Sequence, residues 1–232
     1  MAGTCAASAM RNAVPSPAIA ETQAAFGDIR FRRLVGEESW DRLPEAVRAR
    51  FACRAAGGRT ILYAGTIVEA RMSRLGWWLA QAARLVGAPL PLGCDTQVPA
   101  AVSVTEDPST GGQCWTRIYG RARGFPQAIH SAKRFAGPTG LEEYLGLGFG
   151  IALVLRVEDG ALHFDSDHYF VGRGAFRLRI PAWLATGHMR VSHADVGGGR
   201  FTFVLSLQHP WFGALVHQVG LFHERPEPGD AA

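Results

Sequence analysis

The sequence predicts an α+β fold that is mainly antiparallel β, in which a curved sheet of eight or nine strands, or a partial barrel of the calycin-like or START-like kind, holds one helix. Three observations lead to this prediction. Segments of strand character follow one another from residue 97 to residue 223, a clear hairpin spans Ile151 to Phe170, and one amphipathic helix pattern follows the first strand. A twisted sheet of this size must curl or close, and such a shape commonly encloses an apolar cavity.

Two short helices are predicted at the start of the domain, between Asp28 and Arg54. Their apolar residues recur at helical spacing: Phe31, Leu34 and Val35 in the first helix, and Trp40, Leu43, Val47 and Phe51 in the second. We expect a single domain over residues 28–224. The flanking residues 1–27 and 225–232 are rich in small residues and proline, and we expect them to form disordered tails.

A longer helix, Arg74 to Val86, is predicted after the first strand, which covers Thr60 to Met72. Ser73 is a suitable N-cap, Gly87 fits the first position beyond the helix, and Pro89 stops it. An apolar stripe along this helix is expected to be buried, and it comprises Leu75, Trp78, Leu79, Ala82 and Val86.

Trp77 lies on the opposite, polar side of this helix, with Arg74 and Arg84. The favoured interpretation is that Trp77 packs against a loop or against the N-terminal helices. The alternative is a peripheral contact with a lipid surface, because tryptophan beside arginine is typical of the membrane interface.

The hairpin turns at Asp159-Gly160, which suits a type I′ turn and sets the register of both strands. One face is predicted to be apolar, with Ile151, Leu153, Leu155, Val157, Leu162 and Phe164. The other face is expected to be solvated, with Arg156, Glu158, His163, Asp165 and Asp167, while His168 turns to the apolar side. Because the register separates these groups, no metal site is predicted from them.

Eight strands are predicted after residue 95, separated by turns such as Gly197-Gly198-Gly199. Their ranges are 97–106, 113–121, 125–135, 149–158, 161–170, 188–195, 200–208 and 213–223. With the strand that precedes the long helix, they make up the predicted sheet.

Composition and charge argue against several classes of protein. No apolar run approaches the ~18 residues of a membrane-spanning helix. The formal net charge is +4, but the arginines are scattered and Lys133 is the only lysine among 24 cationic residues, which argues against nucleic-acid binding. Cys5, Cys53, Cys94 and Cys114 lack Cys-x-x-Cys spacing and are expected to be free thiols. With no signal-peptide pattern, the expected compartment is the cytoplasm.

The candidate ligand-binding residues lie in the middle of the chain. Trp115, Arg117 and Tyr119 share one face of a strand. Ser131 shares a face of the next strand with Gln127, Ile129 and Lys133. Aromatic rings beside a guanidinium suit a pocket that stacks an aromatic group or holds an acidic head group. Cross-strand packing with a surface arginine is the simpler alternative.

Glu143 completes this candidate set. In a strand, Glu142 and Glu143 would point in opposite directions, and in a turn both would be solvated. The chain has no nucleophile elbow, phosphate-binding loop or dinucleotide fingerprint, so no catalytic residue and no cofactor is predicted. The balance of the sequence is against an enzyme. Convergence of Arg117, Tyr119, Ser131 and Glu143 within about 3 to 4 Å in a cleft would favour catalysis instead, and their dispersal would disfavour it.

Several short motifs, taken in order, resemble a known bacterial family. They are 31–36 with Leu43-Pro44 and Val47-Arg48, Gly65, Gly87-Ala88-Pro89, Trp115-x-Arg117-x-Tyr119-Gly120, Ser131, 143–146, Asp159-Gly160-x-Leu162, 178–184, 199–203 and 209–213 with Gly220. The family is the one called domain of unknown function 4166, and the resemblance covers about residues 30–223. Members of that family occur alone or fused behind nucleotide-binding oxidoreductase-like domains, so the resemblance implies an accessory or ligand-handling role and a possible oxidoreductase partner.

We therefore expect a protein that binds a small apolar or amphipathic ligand between its sheet and the helix at 73–86, without chemistry of its own. Two alternatives remain open at this point. One is an enzyme or accessory domain that works with an oxidoreductase partner, using Arg117, Tyr119, Ser131 or Glu143. The other is a structural or protein-interaction module, in which Trp77 or an exposed sheet edge makes the contact.

Overall fold

The computed structural model describes residues 27–87, 89–173 and 176–225. Its helices are α1 (Arg30–Val35), α2 (Glu37–Asp41), α3 (Glu45–Phe51) and α4 (Arg74–Ala83), and α4 continues as a 3₁₀ turn, Arg84–Val86. Its strands are β1 (Ile61–Met72), β2 (Val98–Asp107), β3 (Gly112–Tyr119), β4 (Gln127–Arg134), β5 (Glu142–Gly146), β6 (Phe149–Glu158), β7 (Ala161–Arg173), β8 (Phe176–Arg179), β9 (His188–Gly197), β10 (Arg200–His209) and β11 (Gly213–Arg225).

The two predicted tails lie outside the described residues, apart from Gly27 and Arg225. Gly27 forms an isolated bridge with Cys53, and Arg225 ends β11. Cys5 also lies outside the described part, whereas Cys53, Cys94 and Cys114 are free thiols. Among the residues that the structure describes, no helix is long and apolar enough to cross a bilayer.

The strands form one antiparallel sheet in the order β6-β5-β4-β3-β2-β1-β11-β10-β9-β7-β8. Pairing of β6 with β7 closes the sheet into a barrel of ten strands, and β8 adds to β7 outside the ring. The predicted mainly antiparallel fold is confirmed, and the barrel is more closed than a sheet of eight or nine strands. The two strands that the sequence did not indicate are β5 and β8, and β5 completes the ring between β4 and β6.

Helices α1 to α3 close one end of the barrel, which we call the closed end. Phe31 and Phe51 reach into it and pack edge to face, with ring centroids 5.2 Å apart, while Phe51 also lies 5.6 Å from Phe164 of β7. Polar contacts hold the helical segment in place. Arg50 lies 3.2 Å from Asp195, and Arg30 donates a 2.5 Å hydrogen bond to the carbonyl of residue 111.

Helix α4 covers part of the opposite end, which we call the open end. The hydroxyl of Ser73 accepts a 3.0 Å hydrogen bond from the backbone N–H of Gly76, and Gly87 has the left-handed conformation, with φ of 106°. Both helix-end predictions are therefore confirmed.

The predicted buried stripe of α4 is wrong for Leu75 and Trp78, which are exposed. The helix rests on β11 through Gly76 and Ala80, because a Cβ on Gly76 would lie only 2.1 Å from the carbonyl oxygen of Leu215. This close approach leaves Leu75 and Trp78 exposed, while Leu79 and Val86 are partly buried and line the barrel interior together with Ala82. Trp77 is also exposed and contacts Trp78 at a centroid distance of 4.9 Å. It lies far from α1 to α3, which are at the closed end, so the predicted packing on those helices is wrong.

The hairpin register is confirmed, with Glu158 opposite Ala161 and Leu155 opposite Phe164. Asp159 and Gly160 have φ values of 50° and 71°, as a type I′ turn requires.

The predicted solvation of the outer face of the hairpin is wrong for Asp165. Asp165 is only 4% exposed, because Arg190 covers it with hydrogen bonds of 2.6 and 2.9 Å and Arg156 lies 3.3 Å away. His168 also differs from the prediction. A bulge opposite Ala152 and Leu153 shifts the alternation of β7, so His168 lies outside, 2.6 Å from the carboxylate of Asp167.

Candidate functional site

The barrel encloses a cavity of about 580 Å³ between the closed end and α4. Strands supply most of its wall, because alternate residues of each strand point inward. On β10 these are Phe203, Leu205 and Leu207, and on β11 they are Gln218, Gly220 and Phe222. The lining is mainly apolar, as expected of a site for a small molecule with a hydrophobic body.

One buried ionic cluster interrupts the apolar wall. The Oε1 atom of Glu143 accepts hydrogen bonds from the hydroxyl of Ser131 at 2.6 Å and from the Nη2 of Arg117 at 3.1 Å. The other carboxylate oxygen, Oε2, accepts a 3.2 Å bond from the Nζ of Lys133. Arg117 also donates to the Ser131 hydroxyl at 3.1 Å. We call these four residues the Glu143 cluster.

Strand register explains why four residues from three strands meet. On β3 and β4, Trp115 pairs with Ser131, and Arg117 pairs with Ile129. On β4 and β5, Lys133 pairs with Glu143. Since side chains two apart share a face, the inward residues of β3, β4 and β5 form one patch on the barrel wall.

Burial makes the electrostatics of this cluster strong. Lys133 and Glu143 are 4% and 5% exposed. Burial by itself would raise the pKa of Glu143, but Lys133, Arg117 and the Ser131 hydroxyl overcome it and lower the pKa to about 2. Burial lowers the pKa of Lys133, and the Glu143 carboxylate opposes this change. With both basic groups protonated, the cluster carries one more positive charge than negative.

Aromatic rings surround the cluster. The Nζ of Lys133 lies 4.8 Å from the centre of the Trp115 ring and 5.3 Å from that of Phe164. The indole N–H of Trp115 donates to Gln113 at 3.1 Å, which satisfies it inside the barrel. Tyr119 lines the same cavity, and burial raises the pKa of its hydroxyl. An aromatic surface next to a cation suits the part of an amphipathic ligand that joins its apolar body to its polar head group.

The structure brings the five candidate residues of the sequence together. Trp115, Arg117, Tyr119 and Glu143 line the cavity, and Ser131 bonds to Glu143 and Arg117. Their role in ligand binding stays a prediction.

Lys133 was missed as a candidate. A signal for it existed in the sequence, because it is the only lysine of the chain and lies two residues from Ser131 on the same face.

Glu142 and Glu143 point in opposite directions, as predicted for a strand. Glu142 faces outward and forms an ion pair with Arg177. Neither residue is solvated, so the alternative in which both lie in an exposed turn is wrong. In the described part of the chain, no group of three or more His, Cys, Asp or Glu side chains is arranged to hold a metal ion.

The fold and the cavity define a class of protein, an antiparallel β-barrel whose interior is an apolar chamber with a single buried ionic cluster on its wall. Comparison with protein-family models gives a match to the family described as Domain of unknown function (DUF4166), over residues 43–222. The chain belongs to this family. None of the curated proteins with which it was compared matches it.

Proposed function

We propose that the barrel binds a small amphipathic molecule, with its apolar body in the cavity and an anionic head group at the Glu143 cluster. The observation that carries this proposal is that two basic side chains, Arg117 and Lys133, share the single carboxylate of Glu143 inside an otherwise apolar chamber. The cavity volume of about 580 Å³ falls within the range of about 300–1,000 Å³ that is typical of small-molecule sites.

Charge balance favours an anionic head group. Arg117 and Lys133 share the single carboxylate of Glu143, so one of the two basic groups has no carboxylate of its own in this chamber. A buried charge is costly unless it is paired, so a second carboxylate or phosphate from a ligand would be stabilised here. The planar guanidinium of Arg117 is suited to bind such a group through two parallel hydrogen bonds.

Catalysis is the second candidate function, because Arg117, Ser131 and Glu143 converge within 3.1 Å. The Ser131 hydroxyl donates to the Glu143 carboxylate, which is the arrangement of a nucleophile with a base. A carboxylate with a pKa of about 2 is a weak base at neutral pH, however, and this favours binding over proton abstraction. Hydrolysis of fatty acyl esters by the wild type, lost in Ser131→Ala, would support the catalytic candidate.

The binding proposal is tested by titrating the purified protein with a fluorescent fatty acid and with its methyl ester. We expect the carboxylate to bind at least tenfold more tightly than the ester. Lys133→Met removes a positive charge and should weaken carboxylate binding about tenfold or more, whereas Glu143→Gln removes the competing anion and should strengthen it.

Matched variants separate binding in the cavity from binding elsewhere. Leu205 lines the cavity, and its neighbour Val204 does not, so Leu205→Trp should reduce binding of both probes and Val204→Trp should not. Thermal unfolding identifies any variant that fails to fold. The proposal would be contradicted if Lys133→Met and Glu143→Gln, both folded, weakened binding of the fatty acid equally. It would also be contradicted if the wild type bound neither probe.

A further inference from the structure

The open end of the barrel carries a group of exposed large apolar side chains, which we call the rim. Its aromatic members include Trp77, Trp78, Phe125, Trp183, Trp211 and Phe212. Phe125 is 92% exposed, Trp211 72% and Trp78 66%. Isolated exposed apolar residues are ordinary, but a group of this size marks an interaction site.

Chain topology places these residues at one end. The rim belongs to α4, to the connection between β3 and β4, to the segment after β8, and to the turn between β10 and β11. In an antiparallel barrel the connections alternate between the two ends, and those after β1, β3 and β10 lie at the same end. Because β8 lies outside the ring, the segment after it leads back to that end, where β9 begins opposite the end of β10. Among the described residues, every exposed tryptophan and phenylalanine side chain is there, whereas the closed end has none.

The cavity reaches the surface inside the rim. Leu178 and Leu184 line the cavity and are also exposed, and Leu79 and Val86 of the α4 segment line it from the other side. A molecule that enters or leaves the cavity there passes between rim residues.

Charge distinguishes the rim from an ordinary protein-binding patch. Arg74, Arg123 and Arg179 are exposed at the same end, and within the described ranges none has a carboxylate at ion-pair distance. The nearby Asp95 is 3.7 Å from Arg121 and so is already paired. Tryptophan and phenylalanine tips with free arginines around them match the two layers of an anionic membrane surface, the acyl boundary and the phosphate headgroups.

We propose that the rim docks on an anionic lipid bilayer, with the mouth of the cavity facing the membrane. The aromatic tips insert to the depth of the headgroups, and the arginines contact lipid phosphates. An apolar ligand then exchanges between bilayer and cavity without passing through water. Docking itself rests on the rim alone, and only this exchange step rests on the proposed function of the cavity.

The test is flotation of the full chain with lipid vesicles. Vesicles of phosphatidylcholine mixed with phosphatidylglycerol should carry the protein upward, with a blue shift of tryptophan fluorescence, and vesicles of phosphatidylcholine alone should carry much less. The variant Trp78→Ser/Trp211→Ser should lose at least tenfold in binding to the anionic vesicles. The matched control Ile29→Ser/Val196→Ser changes exposed apolar residues at the closed end and should bind as the wild type does.

A second pair of variants tests the charges. Arg74→Gln/Arg123→Gln should weaken binding to anionic vesicles severalfold, and Arg33→Gln/Arg200→Gln, which removes two exposed arginines of the closed end, should have no such effect. If the rim variants and their control variants lost vesicle binding to the same extent, or if the wild type did not float with anionic vesicles, the proposal would be overturned. Self-association of the wild type through the rim, seen by light scattering and abolished in Trp78→Ser/Trp211→Ser, would assign the rim to a second copy of the chain and also overturn it.

Probe binding in solution separates the two proposals. If the rim variants do not float but still bind the fluorescent fatty acid, membrane docking is supported and the cavity proposal stands. If the wild type floats but binds no probe, docking stands and the cavity proposal fails.

Discussion

At the scale of single residues, the alternation of side chains along a strand explains which site residues were predictable. Trp115, Arg117 and Tyr119 are spaced by two, so their common face could be read directly from the sequence. The direction in which Glu143 points could not, because it depends on the pairing of β5 with β4. Lys133 and Glu143 lie ten residues apart, and only the register places them in contact.

His193 is a second residue whose state depends on the tertiary fold. Its ring lies among Phe51, Phe201 and Phe203, with centroid distances of 4.7 to 5.1 Å. Neither ring nitrogen has a hydrogen-bond partner among the described residues. Burial and the nearby Arg50 lower the pKa of His193 to about 3.

This lowered pKa predicts an acid-dependent loss of stability. The unfolded chain takes up a proton on this histidine near its ordinary pKa of 6.5, and the folded protein does so only near 3. The free energy of unfolding should therefore fall as the pH drops below 6.5, by at most about 1.4 kcal/mol per pH unit from this group.

The variant His193→Leu should lose this pH-dependent contribution to the free energy of unfolding. Its stability should vary less between pH 6.5 and 4.5 than that of the wild type, whatever the constant effect of the substitution, and the exposed His130→Gln should behave as the wild type does. Chemical denaturation at a series of pH values measures this difference. Parallel curves for His193→Leu and the wild type would contradict it.

At the scale of elements, α4 shows where sequence patterns succeed and fail. Its capping residues predicted both ends, since caps act through local hydrogen bonds and backbone angles. Its buried face was predicted only for Leu79 and Val86, whereas Leu75 and Trp78 are exposed, because the pattern assumes that all large apolar residues of the stripe face the core. Here two small buried residues, Gly76 and Ala80, make the contact, and at Gly76 there is no room for a side chain next to the backbone of β11.

Strand β5 shows a different limit of sequence patterns. It has five residues, begins with two glutamates, and lacks the apolar and polar alternation of the longer strands. Its strand conformation depends on pairing with β4 and β6 on either side, and not on a pattern in its own five residues. Because Glu143 lies in this strand, its environment could not be predicted from the sequence either.

The contact of α4 with β11 predicts a reversed effect of a glycine substitution. Gly76→Ala would stabilise an isolated helix by about 1 kcal/mol, but in this protein a Cβ would lie 2.1 Å from the Leu215 carbonyl oxygen. We expect Gly76→Ala to destabilise the protein by roughly 1–3 kcal/mol. Urea unfolding measures this, with Ala82→Gly at an exposed position of the same helix as the control, for which a loss of about 1 kcal/mol is expected. An increase in stability for Gly76→Ala would contradict the contact.

At the scale of the whole molecule, the barrel has two unlike ends. The closed end is filled by α1 to α3, and the open end combines the mouth of the cavity with the rim. The sequence predicted antiparallel strands, the place of the long helix and an apolar cavity, since these follow from patterns along the chain. Closure of the ring could not be predicted in this way, because besides the predicted β6–β7 hairpin it requires β1 to pair with β11, at the other end of the chain, and β7 to pair with β9.

The central claim is that an anionic head group binds at the Glu143 cluster, and NMR of Lys133 tests it most directly. Because Lys133 is the only lysine, protein labelled with ¹³C-lysine gives a single Cε signal from the cluster itself. Burial lowers the pKa of Lys133, so its signal should titrate below the ordinary value of 10.5.

A bound fatty acid adds a negative charge next to Lys133 and should move its titration midpoint upward, while the methyl ester of the same fatty acid should not. This result would place the carboxylate of the ligand at the cluster. An ordinary pKa for Lys133 in the free protein, or a midpoint that the fatty acid and its ester leave equally unchanged, would contradict the account.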